Sequence, residues 1–131
     1  MDVIITLTSI PSRFSKIELT LQSILSQKRK PDAIILYIPR KYKRFPEWDG
    51  SLRELHNVSK LIEIIRVDED FGPATKILPA INSYKNKAVK IIYCDGDRFY
   101  PQNWLEQFLS KSIIAKNMAI CNSGWSIKNY G

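Results

Sequence analysis

Short runs of aliphatic residues recur along the chain at Val3–Leu7, Ala33–Ile38, Leu61–Val67 and Val89–Cys94, with a weaker one at Met118–Cys121. Most are rich in Ile and Val and do not alternate apolar with polar residues. A strand with one wet face must alternate, because successive side chains point to opposite sides of the sheet. Continuous runs therefore predict strands covered on both faces, as in a parallel sheet.

Segments with helical spacing lie between the runs. Ile17, Leu21, Ile24 and Leu25 form one apolar stripe, with Ser12 or Ser15 as candidate caps. Trp104, Leu105, Phe108, Leu109 and Ile113 form another. A shorter helix is expected over residues 74–84, opened by Gly72-Pro73 and bent or shortened by Pro79. Strands alternating with helices predict an α/β fold: a Rossmann-like, mostly parallel sheet with helices on both faces. At 131 residues, with 44% apolar and 25% charged, one domain is expected.

The net charge is +7, from 20 basic and 13 acidic side chains. A basic surface suits polyanions, whether nucleic acid, anionic membrane or phosphorylated small molecules. The clusters Lys28-Arg29-Lys30 and Arg40-Lys41-Tyr42-Lys43-Arg44 read first as solvated loops that keep the protein soluble. Cys94 and Cys121 make neither a disulfide framework nor a zinc site and read as buried thiols of a reducing compartment. The opening "MDVIITLTSI" has no basic leader and too short an apolar run for a signal peptide or membrane span, so a cytoplasmic location is expected.

In a parallel α/β fold, ligands bind beyond the carboxyl ends of the strands. Chemistry-bearing residues stand at those points. After the fourth run comes Asp95-Gly96-Asp97. Two crowded carboxylates titrate poorly unless a cation neutralises them, and Mg²⁺ or Mn²⁺ would share such oxygens with a diphosphate. A plain Asp-Gly turn is the other reading. After the third run, "DEDFGPATK" opens a helix whose free N–H groups would form an anion site. Lys76 in its first turn would oppose the helix dipole unless an anion lay nearby. Asp68 and Asp70 are candidates for sugar hydroxyls or for capping. After the first run, "LTSIPSR" places hydroxyl residues in a tight turn, with Arg13 able to reach a phosphate or a base.

Taken together, "VIITLTSIPSRFSKIELTLQSILSQKRKPDAIILYIP", "DEDFGPATKILPAI" and "YCDGDRFYPQNWLE" resemble the donor-binding half of family-two-like GT-A nucleotide-sugar glycosyltransferases, over about residues 3–110. The resemblance implies hexosyl transfer from a nucleoside-diphosphate sugar, with a UDP-sugar as the expected donor. It implies a Mn²⁺ or Mg²⁺ cofactor and an unidentified glycan, protein or lipid acceptor. It also implies site residues: Asp97 on the metal, Asp95 on the ribose or on the metal through water, Thr8, Ser9 and Arg13 around the nucleoside, and Asp70 and Lys76 near the sugar and phosphates.

The chain departs from the pattern at two points. Tyr37-Ile38-Pro39 stands where many relatives carry an acid for the base. Beyond Asp97 the single acidic residue is Glu106, expected to face away from the site, and the lone histidine, His56, is expected on the surface. No residue stands out as the general base for an acceptor hydroxyl. A donor-binding module, a minimal or truncated transferase, and a chain completed by a partner all fit. Apolar surface exposed where the acceptor half would sit would favour a homo-oligomer. Trp125 is a candidate for stacking on a sugar or for plain packing. The rival readings are another D-x-D phosphotransfer enzyme, a non-catalytic nucleotide-binding module, and a nucleic-acid-binding module using the basic and aromatic stretch "RKYKRFPEW".

Overall fold

The computed structural model describes residues 2–111, 118–121 and 127–129. Each aliphatic run forms a strand in it: β1 (Asp2–Thr8), β2 (Ala33–Pro39), β3 (Glu63–Val67), β4 (Val89–Tyr93) and β5 (Met118–Cys121). A further strand, β6 (Ile127–Asn129), pairs antiparallel with β5. The sheet order is β3-β2-β1-β4-β5-β6, and every pairing from β3 through β5 is parallel. β1 lies between β2 and β4, with Ile5 opposite Ile34 on one side and Ile92 on the other. Strand order reverses at β1, so the crevice beyond the carboxyl ends of β1 and β4 is the expected ligand site of such a sheet.

The helices are α1 (Ile17–Leu25), α2 (Leu78–Tyr84) and α3 (Trp104–Lys111). On one face Val3, Ile5 and Leu7 pack with Ile17, Leu21 and Ile24 of α1 and with Leu105 and Phe108 of α3. On the other, Ile4, Ile35, Tyr37 and Ile91 pack with Ala80 and with the partly buried Ile77 and Ile81. The fold is the expected α/β arrangement with helices on both sides. No helix among the described residues is long and apolar enough to cross a membrane.

Local expectations change in places. β1, β2 and β4 are buried almost throughout, but β3, at the sheet edge, is half-exposed, in keeping with its Glu63 and Arg66. It begins at Glu63 because Leu61 closes a 3₁₀ turn, donating its N–H to Val58 O at 2.9 Å. Neither Ser12 nor Ser15 caps α1. Pro11 instead starts a 3₁₀ segment, Pro11–Lys16, that runs directly into the helix without a side-chain cap. Pro79 shortens its helix: a 3₁₀ segment, Gly72–Lys76, ends at Ile77, and α2 starts afresh with Pro79 in its first turn. Ile113 and Trp125 lie outside the described residues.

Candidate functional site

The seven site residues that the resemblance implies, Thr8, Ser9, Arg13, Asp70, Lys76, Asp95 and Asp97, line one cleft of about 500 Å³ at the carboxyl ends of β1 and β4. Tyr42, Arg44, Phe45 and Arg98 line it as well. His56 and Glu106 are exposed, and neither is a cleft residue. Asp68 is 94% exposed and pairs with Arg40 Nε at 2.8 Å rather than entering the cleft.

The two carboxylates after β4 each meet side-chain cations. Asp95 Oδ1 accepts from Lys76 Nζ at 3.1 Å, and its other oxygen lies 3.5 Å from Arg98 Nε. Asp97 Oδ2 accepts from Arg13 Nη1 at 3.1 Å. Protein cations therefore offset the charge of the acid pair. Gly96 between them is closely packed. A Cβ there would sit 3.2 Å from Ile17 Cδ1 and 3.4 Å from the Thr8 carbonyl oxygen. The loop is pressed into the seam between β1 and α1.

The "DEDFGPATK" segment differs from expectation. Its opening is a five-residue 3₁₀ segment, and its first amides are already engaged. Gly72 N donates to Asp70 Oδ1 at 2.8 Å, and Phe71 N donates to Thr75 Oγ1 at 3.0 Å. The expected helix N-terminal anion site is therefore not formed there. Gly72 adopts φ +62, a left-handed conformation that favours glycine. Lys76 stands in the last turn of the segment, not the first, where a cation is favourable. Its placement needs no bound anion, because Asp95 is its partner. Asp70 lines the cleft, but both its oxygens are bonded to backbone, the second accepting from Lys43 N at 2.9 Å.

Thr8 and Ser9 hold the cleft floor. The Thr8 hydroxyl donates to Tyr37 O at 2.7 Å, and the buried Tyr42 hydroxyl donates to Ser9 O at 2.7 Å. Burial, reinforced by the charge of Asp70, pushes the Tyr42 phenol well above its ordinary range.

The sequence expectations do not include a strip of polar residues on the buried side of α1 and just past its end. Thr20, Ser23 and Gln27 are at most 3% exposed. Thr20 Oγ1 donates to Gly96 O at 2.9 Å, and Tyr100 N donates to Ser23 Oγ at 3.0 Å. Gln27 Nε2 donates to Pro101 O at 2.6 Å, while its Oε1 accepts from Leu105 N at 2.9 Å. These bonds fasten the acid loop and the start of α3 to α1. The sequence signal is the spacing 20, 23, 27, one helical stripe of hydrogen-bonding residues set among apolar ones. Tyr100 completes the arrangement, its hydroxyl spanning the Asp95 amide at 3.1 Å and the Asp95 carbonyl oxygen at 3.2 Å.

No family model, curated protein or solved structure matches the chain.

Among the described residues no three His, Cys, Asp or Glu side chains converge as a complete metal cage. Two carboxylates at a strand end nevertheless fit a hard divalent ion whose remaining ligands are phosphate oxygens and water. Asp97 would have to exchange Arg13 for such an ion, and Asp95 would remain beside Lys76 and Arg98.

Proposed function

We propose that the chain is the donor-binding part of a metal-dependent glycosyltransferase and that the cleft takes a nucleoside-diphosphate sugar, with UDP-sugars the first donors to test. The observation that supports this reading is the convergence of Arg13, Lys76, Asp95, Asp97 and Arg98, from three separate segments, at the switch point of a parallel sheet. A mixed constellation of cations and carboxylates suits a diphosphate bound together with a divalent ion.

In this reading Asp97 and Asp95 hold Mn²⁺ or Mg²⁺, which would supply charge neutralisation on the leaving diphosphate. Lys76 and Arg98 are poised to stabilise the negative charge that grows there as the bond between the sugar and the diphosphate breaks. Thr20, Ser23, Gln27 and Tyr100 hold the backbone of the acid loop, so that only its side-chain ion pairs need exchange on binding. The group that takes the acceptor proton is assigned to no residue of this chain. The acceptor, a homo-oligomeric state and a cytoplasmic location belong to the same proposal.

The nucleic-acid reading has weaker support. Stacking on bases needs open aromatic faces. Tyr42 and Trp48 instead pack edge to face on each other with centroids 5.1 Å apart, and Trp48 packs on Phe14 at 5.9 Å.

The test is thermal stability with UDP and Mn²⁺. The pair should raise Tm, and Asp97→Ala should abolish the part of the shift that Mn²⁺ adds. An unchanged shift in Asp97→Ala would remove the metal role from this residue. No shift in the wild type with UDP, GDP or dTDP would overturn the donor-binding reading.

A further inference from the structure

Part of the cleft lining is a tight turn in the connection between β2 and β3. Tyr42 and Phe45 form an antiparallel bridge, and Phe45 N donates back to Tyr42 O at 3.3 Å. The turn is pinned from three directions. The Tyr42 hydroxyl reaches Ser9 O, the Tyr42 ring packs against Phe14 and Trp48, and Asp70 takes the Lys43 amide. Asp70 simultaneously takes the Gly72 amide, so one carboxylate ties two loops together. The pinned turn carries Arg44 and Phe45 to the cleft, with the guanidinium 5.7 Å from the Phe45 ring centroid.

Arg44 differs from the other cations of the cleft. Arg13, Lys76 and Arg98 each pair with Asp95 or Asp97. Among the described residues Arg44 has no carboxylate within ion-pair distance. One wall is thus dense in charge of both signs, and the other offers an aromatic ring and a guanidinium with donors to spare. A matching ligand has a polyanionic end and a flat end bearing carbonyl oxygens.

We propose that Arg44 and Phe45 form the nucleobase-contacting wall of the cleft and that Asp70 is the positioning residue that holds this turn in register. The inference rests on the nucleoside-diphosphate reading and deepens it. Arg44 donates to carbonyl oxygens of the base, which uracil and guanine carry and adenine lacks, and Phe45 packs on its face. Asp70 touches no ligand; it acts through the Lys43 amide.

Calorimetric titration of UDP, ADP and inorganic pyrophosphate, each with Mg²⁺, into the wild type, Arg44→Ala, Asp70→Ala and Asp70→Asn tests it. Arg44→Ala should weaken UDP about tenfold, consistent with loss of a charge-assisted hydrogen bond. Pyrophosphate should weaken by less than about threefold, and the preference for UDP over ADP should shrink. Asp70→Ala should give the same pattern. Asp70→Asn, which keeps one accepting oxygen, should fall between. The amide resonances of Lys43 and Gly72 should move upfield in Asp70→Ala, a readout of the clamp that does not depend on binding. Equal losses for UDP and pyrophosphate in Arg44→Ala would make Arg44 a phosphate ligand and overturn the proposal. So would wild-type protein that binds pyrophosphate as tightly as UDP, while leaving the diphosphate cleft standing. Failure of both ligands to bind the wild type would sink the nucleoside-diphosphate reading itself.

Discussion

Arg13 and Asp97, 84 residues apart in the chain, meet at 3.1 Å across the seam between the loop after β1 and the loop after β4. Their side chains are 58% and 57% exposed, so the pair contributes at most about 1 kcal/mol to stability. Such a bond is easily exchanged. If Asp97 is a metal ligand, Arg13 competes with the metal for it. Arg13→Gln should therefore bind Mn²⁺ severalfold more tightly than the wild type in the absence of nucleotide, measured by electron paramagnetic resonance of the free ion. Its unfolding free energy should change by less than about 0.5 kcal/mol. Unchanged Mn²⁺ affinity would show that the pair and the metal do not share Asp97.

Lys76 is the most protected cation of the cleft, its side chain 19% exposed, with Nζ also 5.4 Å from the Tyr93 ring centroid. Lys76→Met keeps the apolar stem and leaves Asp95 with Arg98 alone. A loss of about 1 kcal/mol in chemical denaturation is expected. Pyrophosphate affinity should fall about tenfold in the same protein.

Gln27, just past the end of α1, tests the polar strip. Its 1% exposure and its bonds to Pro101 O and Leu105 N mean that Gln27→Leu strands the buried Leu105 amide in the first turn of α3 and removes the donor to the part-buried Pro101 O. The cost should be about 2–4 kcal/mol, visible as a lower urea midpoint. A change under about 0.5 kcal/mol would mean that these bonds are replaced by water.

Alkaline pH should expose the buried phenols. Burial first, then the neighbouring Tyr84 and Glu63, pushes Tyr37 up to about 12, and Tyr84 is raised for similar reasons. For a group raised on folding, the stabilisation is intact below the unfolded value near 10. It is lost as pH climbs from there toward 12, for buried Tyr37 at about 1.4 kcal/mol per pH unit. Tyrosinate absorbance and circular dichroism followed together should show a late group of tyrosines ionising only as the protein unfolds. Tyr37→Phe should flatten the decline.

The strands were legible because Ile- and Val-rich runs leave few alternatives, and the lining of the cleft was legible because these side chains stand at strand ends in a fold that gathers those ends. Asp95, Asp97, Arg13 and Lys76 are brought together as that logic requires. The partners within the cleft were not legible. That Lys76 answers Asp95, or that Asp70 spends both oxygens on the amides of Lys43 and Gly72, depends on how loops far apart in sequence settle against each other. Arg44 sits in a basic run that reads as solvated until the turn carrying it is seen pinned by Tyr42 and Asp70. Thr20, Ser23 and Gln27 are hidden because a polar residue on an apolar helix face looks like an imperfection until the carbonyl and amide groups opposite it are known.

The pairing of Arg13, Lys76 and Arg98 with Asp95 and Asp97 has an outcome that can be read in salt. A bare basic groove holds mobile anions that a polyanion must displace, and its affinity collapses as electrolyte rises. Here the displaced species are carboxylates tethered to the same chain, so little is released to the bulk. Diphosphate affinity should therefore decline only shallowly with added potassium chloride.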